Sequence, residues 1–247
     1  MNVVERMKFI SKWINDYANN NSKNPFDLVV GVSGGIDSAV TSTLCALTGI
    51  KTHVVSMPIK QNPQQHDLSL KHIEWLKNKY PNVVSYIISL DEVFNIFQNT
   101  MKSFNSELAF ANSRSRLRMV TLYQIAQSNN GIVVGTGNKV EDFGIGFYTK
   151  YGDGGVDISP IADCTKSEVW EMGKYFEIKK EIIDAKPTDG LWDDSRNDED
   201  QIGLSYENIE EAMQNNKSSY YEKYQKIRNP NLHKMKPIPV CVLPKSL

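Results

Sequence analysis

The chain has 247 residues, 40% of them hydrophobic and 23% charged, which is enough apolar material for one α/β domain with a decorated edge over 1–247. The formal net charge of −1 gives no overall pull toward nucleic acid or a membrane surface, no apolar run is long enough to cross a bilayer, and the amphipathic N-terminus does not read as a signal peptide. Cys45, Cys164 and Cys241 are scattered without C-x-x-C spacing and read as reduced thiols of a cytoplasmic protein.

An apolar stripe from Val3 to Ala18 predicts a helix. Leu28, Val29, Val30 and Val32 then form a short run that reads as a buried parallel strand. Ser33, Gly34 and Gly35 break it. Apolar residues at helical spacing resume from Ile36 to Leu47. The glycines therefore sit at a strand-to-helix turn, where outward N–H groups and the positive end of a helix make a seat for phosphate. Ser33 and Ser38 would add hydroxyl donors. A carboxylate at Asp37 would repel phosphate unless a cation, most simply Mg²⁺, lies between. No Lys follows the glycines, so this is not a G-x-x-x-x-G-K-[ST] loop.

A second strand is predicted over Thr52–Met57. The polar loop Lys60–Asp67 would lie at the ligand edge of a parallel sheet, which makes Gln61, Gln64 and His66 possible contacts. His53, with no His or Cys beside it, reads as structural. A helix from Leu68 to Lys79 and a strand from Val83 to Leu90 follow, with Asp91 as the cap of the next helix. The stretch Asn112–Gln127 reads as a helix with Arg114, Arg116 and Arg118 at its start. Spaced two apart, they would serve different partners, and anion binding is favoured over a solvated basic turn, with nucleic-acid contact a further reading.

Gly131–Gly135 predicts the fourth strand. Thr136 to Lys139 follow on the ligand edge, and then Glu141 and Asp142, from which a second carboxylate could reach the Mg²⁺ of Asp37. Four glycines between Gly146 and Gly155 suit a loop shaped around a ligand. Lys150, Asp153 and Asp157 would supply its charges, and Phe147, Tyr148 and Tyr151 would hold it in place. Thr165 and Glu168 form a capping box for a helix running to about Phe176. Lys166 is a cation in its first turn, which is locally unfavourable and points to phosphate. Lys186 to Gln201 has the composition of a lid, with an ordinary surface loop as the equal alternative. Helices near Tyr206–Met213 and Lys217–Lys226 precede a tail with His233 and Lys234.

The segment S-G-G-I-D-S resembles the pyrophosphate loop of the ATP pyrophosphatase superfamily. With R-S-R-L-R-M, G-T-G-N-K-V-E-D, F-Y-T-K-Y-G-D-G-G-V-D, K-P-T-D-G-L and the closing H-K, the chain resembles NAD synthetases in motif order from about Val29 to Lys234, most closely the short, ammonia-using form. The resemblance implies a three-layer, Rossmann-like (adenine nucleotide alpha hydrolase-like) α/β fold, with a parallel sheet and helices on both faces. It implies a core over about 27–176, a lid and helical segment over about 177–247, and a homodimer without nucleic-acid or membrane partners. The implied reaction joins a nicotinate carboxylate to ammonia at the expense of ATP, through an acyl adenylate.

By motif position, Gly31, Val32, Ser33, Gly34, Gly35, Ile36, Asp37 and Ser38 would hold ATP together with Thr136, Lys166 and Thr188. Asp37 and Glu141 would hold Mg²⁺. Arg116, Lys150, Asp157, His233 and Lys234 would hold the nicotinate nucleotide. Asp37 and Lys166 would be catalytic, with Asp153 taking the proton from ammonium. The chain shows no recognisable motif for the adenylate half of deamido-NAD, so nicotinate mononucleotide is an alternative substrate. Its G-T-G-N-K stands where many ammonia-using members read G-T-D-H, as in glutamine-dependent and archaeal relatives. Ammonia is expected as the direct donor, since the length leaves no room for a glutaminase domain. Another adenylating enzyme of the superfamily and a non-catalytic nucleotide-binding module are the competing readings.

Overall fold

A computed structural model of the chain describes residues 1–20, 24–188 and 197–243. Four parallel strands form its sheet: β1 (Asp27–Gly31), β2 (Thr52–Ser56), β3 (Val83–Ile87) and β4 (Gly131–Val133), in the order β3-β2-β1-β4. Leu28 pairs with Thr52 on one side and with Ile132 on the other. An isolated parallel bridge from Val134 to Ile158 extends the β4 edge.

Successive side chains of a strand point to opposite faces, and the core divides accordingly. Leu28, Val30 and Val54 pack with α1 (Val3–Asn20), α2 (Ile36–Leu47), α3 (Pro63–Lys79) and α6 (Lys166–Tyr175). Val29, Val55 and Val133 pack with α4 (Asp91–Thr100) and α5 (Glu107–Ser128). Strands buried on both faces read as continuous apolar runs, and both faces are covered here. This is the three-layer α/β arrangement expected. A third apolar cluster joins α8 (Asp198–Ile202), α9 (Tyr206–Gln214) and α10 (Tyr221–Met235) to a π-helical turn over Lys139–Ile145. The short α7 (Lys180–Ile183) follows α6.

Several boundaries differ from expectation. Helix α3 starts at Pro63, not Leu68, because Asn62 accepts from the Gln64 N–H and Pro63 suits the first helical position. The polar loop is therefore shorter than Lys60–Asp67. Leu90, not Asp91, occupies the cap position of α4, while the Asp91 carboxylate accepts from the Lys60 N–H at 2.5 Å and the Ser89 hydroxyl at 3.0 Å. Helix α5 begins at Glu107 with Ser106 as its cap, so the three arginines lie in its interior. The segment after Lys139, expected as a loop, is helical. Asp198–Gln201, expected as irregular, is helical too, while 189–196 of the lid stretch lie outside the described residues. The last helix is not Lys217–Lys226 but Tyr221–Met235, and it carries His233 and Lys234 past Pro230.

His53 is structural, as expected: it is buried between the Asp27 carboxylate at 2.9 Å and the Tyr86 hydroxyl at 3.2 Å. Among the described residues no helix is long and apolar enough to cross a membrane.

Candidate active site

The turn after β1 is built as its glycines require. Gly34 has φ of +96°, and a Cβ there would lie 2.6 Å from the Gln65 carbonyl oxygen. Only glycine lets α3 pack this closely on the turn. The serines wire the turn together. The Ser33 N–H donates to the Ser38 hydroxyl at 3.2 Å, the Gly35 N–H donates to the Ser33 hydroxyl at 3.2 Å, and the Ser38 hydroxyl donates to the Gly35 carbonyl at 2.9 Å. The hydroxyls thus shape the loop, and the Ser38 proton, expected to serve a ligand, is spent on the Gly35 carbonyl.

Asp37 in the first turn of α2, Glu141 in the π-helical turn and Lys166 at the start of α6 meet beside this loop. The Lys166 ammonium lies 2.6 Å from Asp37 Oδ2 and 2.8 Å from Glu141 Oε1, and the side chain is 1% exposed. Asn138 closes the group: its amide donates to Asp37 Oδ1 at 3.1 Å and to Glu141 Oε2 at 2.8 Å. Its carbonyl oxygen accepts the Val140 and Glu141 N–H groups, so the cap that starts the turn also aims the carboxylates.

Burial opposes the charge on Lys166, but Asp37 and Glu141 outweigh it and hold the amine protonated above its usual pKa. Burial also raises Asp37, against the pull of Lys166. Lys166 was expected to answer to phosphate, yet its partners here are these two carboxylates. They explain how a cation is tolerated at a helix start. Tyr206 backs the cluster: its hydroxyl reaches Glu141 Oε1 at 2.5 Å, and burial, then Glu141 and Asp198, raise its pKa so that it stays a donor.

One cavity of about 410 Å³ joins the loop to the cluster. Every residue from Gly31 to Ser38 lines it, as do Thr136, Glu141, Lys166 and Thr188, so all positions assigned to ATP and metal line the same cavity. Asp153 and Lys234 line it as well. Asp153 Oδ1 accepts from the Ser115 hydroxyl at 2.6 Å and the Thr149 N–H at 3.0 Å. Lys234 donates to the Gly146 and Tyr148 carbonyls, both at 2.8 Å, and so pins the glycine-rich loop to α10. Gln61 also lines the cavity, whereas Gln64 and His66 do not.

The other residues assigned to the nicotinate nucleotide are not part of this lining. Arg116 donates to the Lys150 carbonyl at 3.3 Å, and the Lys150 ammonium donates to the His233 carbonyl at 3.4 Å. His233 Nδ1 donates to the Pro230 carbonyl at 2.9 Å. Asp157 accepts the Val133 N–H at 2.7 Å and the Tyr123 hydroxyl at 3.0 Å, which ties the loop's end to β4. The three arginines do serve different partners: Arg114 stacks on Phe94 with its guanidinium 5.0 Å from the ring centroid, and Arg118 Nε donates to the Met57 carbonyl at 3.0 Å. Tyr151, expected to anchor the loop, is instead 51% exposed.

Sequence reasoning missed Asn138 and Tyr206. The asparagine sits ahead of a helical turn, as a cap does, but Val140-Glu141-Asp142-Phe143 has no clean helical period to reveal it. Tyr206 looks like any aromatic on an apolar helix face.

The NAD synthase family model matches residues 6–239. The chain belongs to the NAD synthase family. An NH(3)-dependent NAD(+) synthetase of Sulfolobus acidocaldarius is 35% identical over 229 residues, 91% of this chain and 76% of the relative. One from Thermoplasma acidophilum is 38% identical over 205 residues, 81% and 82% of the two chains. Among solved structures, NMN synthetase from Francisella tularensis superposes on this NAD synthase family member with a TM-score of 0.86 at 33% identity, over 99% of each chain. The NH3-dependent NAD synthetase from Campylobacter jejuni, with a TM-score of 0.78 at 23% identity over 98% of this chain and 100% of its own, shares the fold.

Proposed function

We propose that this chain is an ammonia-dependent ligase that forms the carboxamide of NAD from the nicotinate carboxylate of deamido-NAD. The observation that carries this is that the Asp37–Lys166–Glu141 cluster and the Gly31–Ser38 loop line one cavity. Two hard carboxylates already gathered around a cation form a donor set suited to Mg²⁺, which often takes one or two carboxylates and completes its shell with phosphate and water. Asp37 and Glu141 would hold it, and it would supply charge neutralisation on the triphosphate.

A carboxylate is a poor acyl donor because its oxygen is a poor leaving group. The loop amides orient the triphosphate so that the nicotinate oxygen attacks the α-phosphorus. The bond to the β-phosphate bridge breaks, diphosphate leaves, and Lys166 offsets its charge. Asp153 takes one proton from ammonium, the ammonia so freed attacks the acyl carbon, the bond to AMP breaks, and the amine's surplus proton leaves with the AMP phosphate. Lys234 serves the substrate within the cavity, and Arg116, Lys150, Asp157 and His233 serve the part that extends outside it. Asp153→Asn is expected to slow amide formation while adenylation continues, as read by trapping the acyl adenylate with hydroxylamine. Equal loss in both half-reactions would reject that role.

A second substrate is favoured by one observation: full mutual coverage with the Francisella tularensis NMN synthetase at 33% identity. The chain would then act on nicotinate mononucleotide by the same steps. Steady diphosphate release with each nucleotide, and with ammonia or glutamine, decides between them. Release that needs deamido-NAD and ammonia supports the first reading, and release without any carboxylate substrate rejects both. Ile96 and Val120, exposed on α4 and α5, would suit the homodimer that the family resemblance implies. The free thiols Cys45, Cys164 and Cys241 support a reducing, cytoplasmic location.

A further inference from the structure

We propose that Tyr206 is a positioning residue for the ATP half-reaction, which holds Glu141 in place when Lys166 turns to the triphosphate; this rests on the reading above. Glu141 Oε1 has two donors: the Lys166 ammonium at 2.8 Å and the Tyr206 hydroxyl at 2.5 Å. Oε2 has the Asn138 amide. An ammonium drawn toward phosphate leaves Oε1, and Tyr206 is then the donor that remains on that oxygen, while Asn138 holds Oε2.

The ring has a second task. Its centroid lies 4.9 Å from Lys166 Nζ, and Trp170 meets it edge-on while standing 5.9 Å from the same ammonium. Two aromatic faces thus stabilise the buried cation without competing for its protons. Tyr206 itself is 2% exposed at the first position of α9, locked by Ile209 and Ala212 of the third apolar cluster. Its N–H donates to Glu199 Oε1 at 3.1 Å, and its hydroxyl lies 3.3 Å from Asp198 Oδ2. A carboxylate of the π-helical turn is thereby aimed from the C-terminal helical segment.

Tyr206→Phe keeps the ring and removes only the hydroxyl. The expected result is a rise of about tenfold in the Mg²⁺ concentration that half-saturates diphosphate release, with KM for the nicotinate nucleotide unchanged. Calorimetric binding of Mn²⁺ to the protein with a non-hydrolysable ATP analogue is expected to weaken by a similar factor. Tyr206→Leu, which also removes the ring, is expected to lower kcat further. A lower melting temperature with wild-type Mg²⁺ dependence and Mn²⁺ binding would mean a merely structural residue and would overturn the proposal. Identical kcat in the Phe and Leu variants would overturn the role of the ring. If the wild-type chain itself releases no diphosphate with either nucleotide, the functional reading fails by itself, and the Mn²⁺ comparison still tests Tyr206.

Discussion

Replacing Lys166 with Met is expected to lower kcat for diphosphate release by about 10²–10³-fold, the effect of removing one preorganised charge partner from a developing anion. The same change leaves Asp37 and Glu141 facing each other without their shared cation. Breaking a buried ion pair from one side costs about 3–5 kcal/mol, because the remaining charge stays desolvated. A urea titration is expected to show the lower midpoint directly. Millimolar Mg²⁺ without nucleotide is expected to raise the midpoint of Lys166→Met more than that of the wild type, since only in the wild type does an ammonium already occupy the space between the carboxylates. An unchanged midpoint in the variant, with or without Mg²⁺, would show that the cluster carries no such dependence on Lys166.

Gly34→Ala is the second large effect. Its backbone sits at φ of +96°, and the added Cβ would lie 2.6 Å from the Gln65 carbonyl and 3.0 Å from the Ser69 N–H. Neither neighbour is a flexible side-chain end, so the turn itself must move. A displacement near 1 Å in a positioning element costs about 10²-fold in rate, and kcat/KM for ATP is expected to fall by that factor. Gly49→Ala is the control. It also has positive φ, +76°, but nothing lies within 4 Å of the added atom. It should lose about 1 kcal/mol of stability from backbone strain alone, with kcat/KM for ATP unchanged. Equal kinetics in the two variants would show that the close approach of α3 to the turn does not matter.

Much of the framework was legible because it is local. The run Leu28–Val32, the break at Gly34-Gly35 and the stripe from Ile36 to Leu47 mark strand, turn and helix within some twenty residues, and α2 has the bounds expected. The capping box at Thr165 and Glu168 is likewise written in four positions and is present. The start of α3 was legible too, in Asn62-Pro63, but a polar run masked it. The end of α10 was not, because Pro230 argues against a helix that tertiary contacts nevertheless sustain: Arg228 donates to the Phe143 and Gly144 carbonyls, and Lys234 donates to those of Gly146 and Tyr148.

The linear chain alone determined which strand, turn and helix follow one another around Gly34-Gly35 and which family's motif order they obey. These depend on neighbours a few positions apart, where backbone geometry leaves little choice. Only the tertiary structure decided who partners whom. Asp37 and Lys166 are 129 positions apart, and Tyr206 stands 65 positions from Glu141, yet all four share one buried cluster. Burial makes an unpaired charge so costly that the fold must bring opposite charges together, and no local pattern records which distant residue will answer.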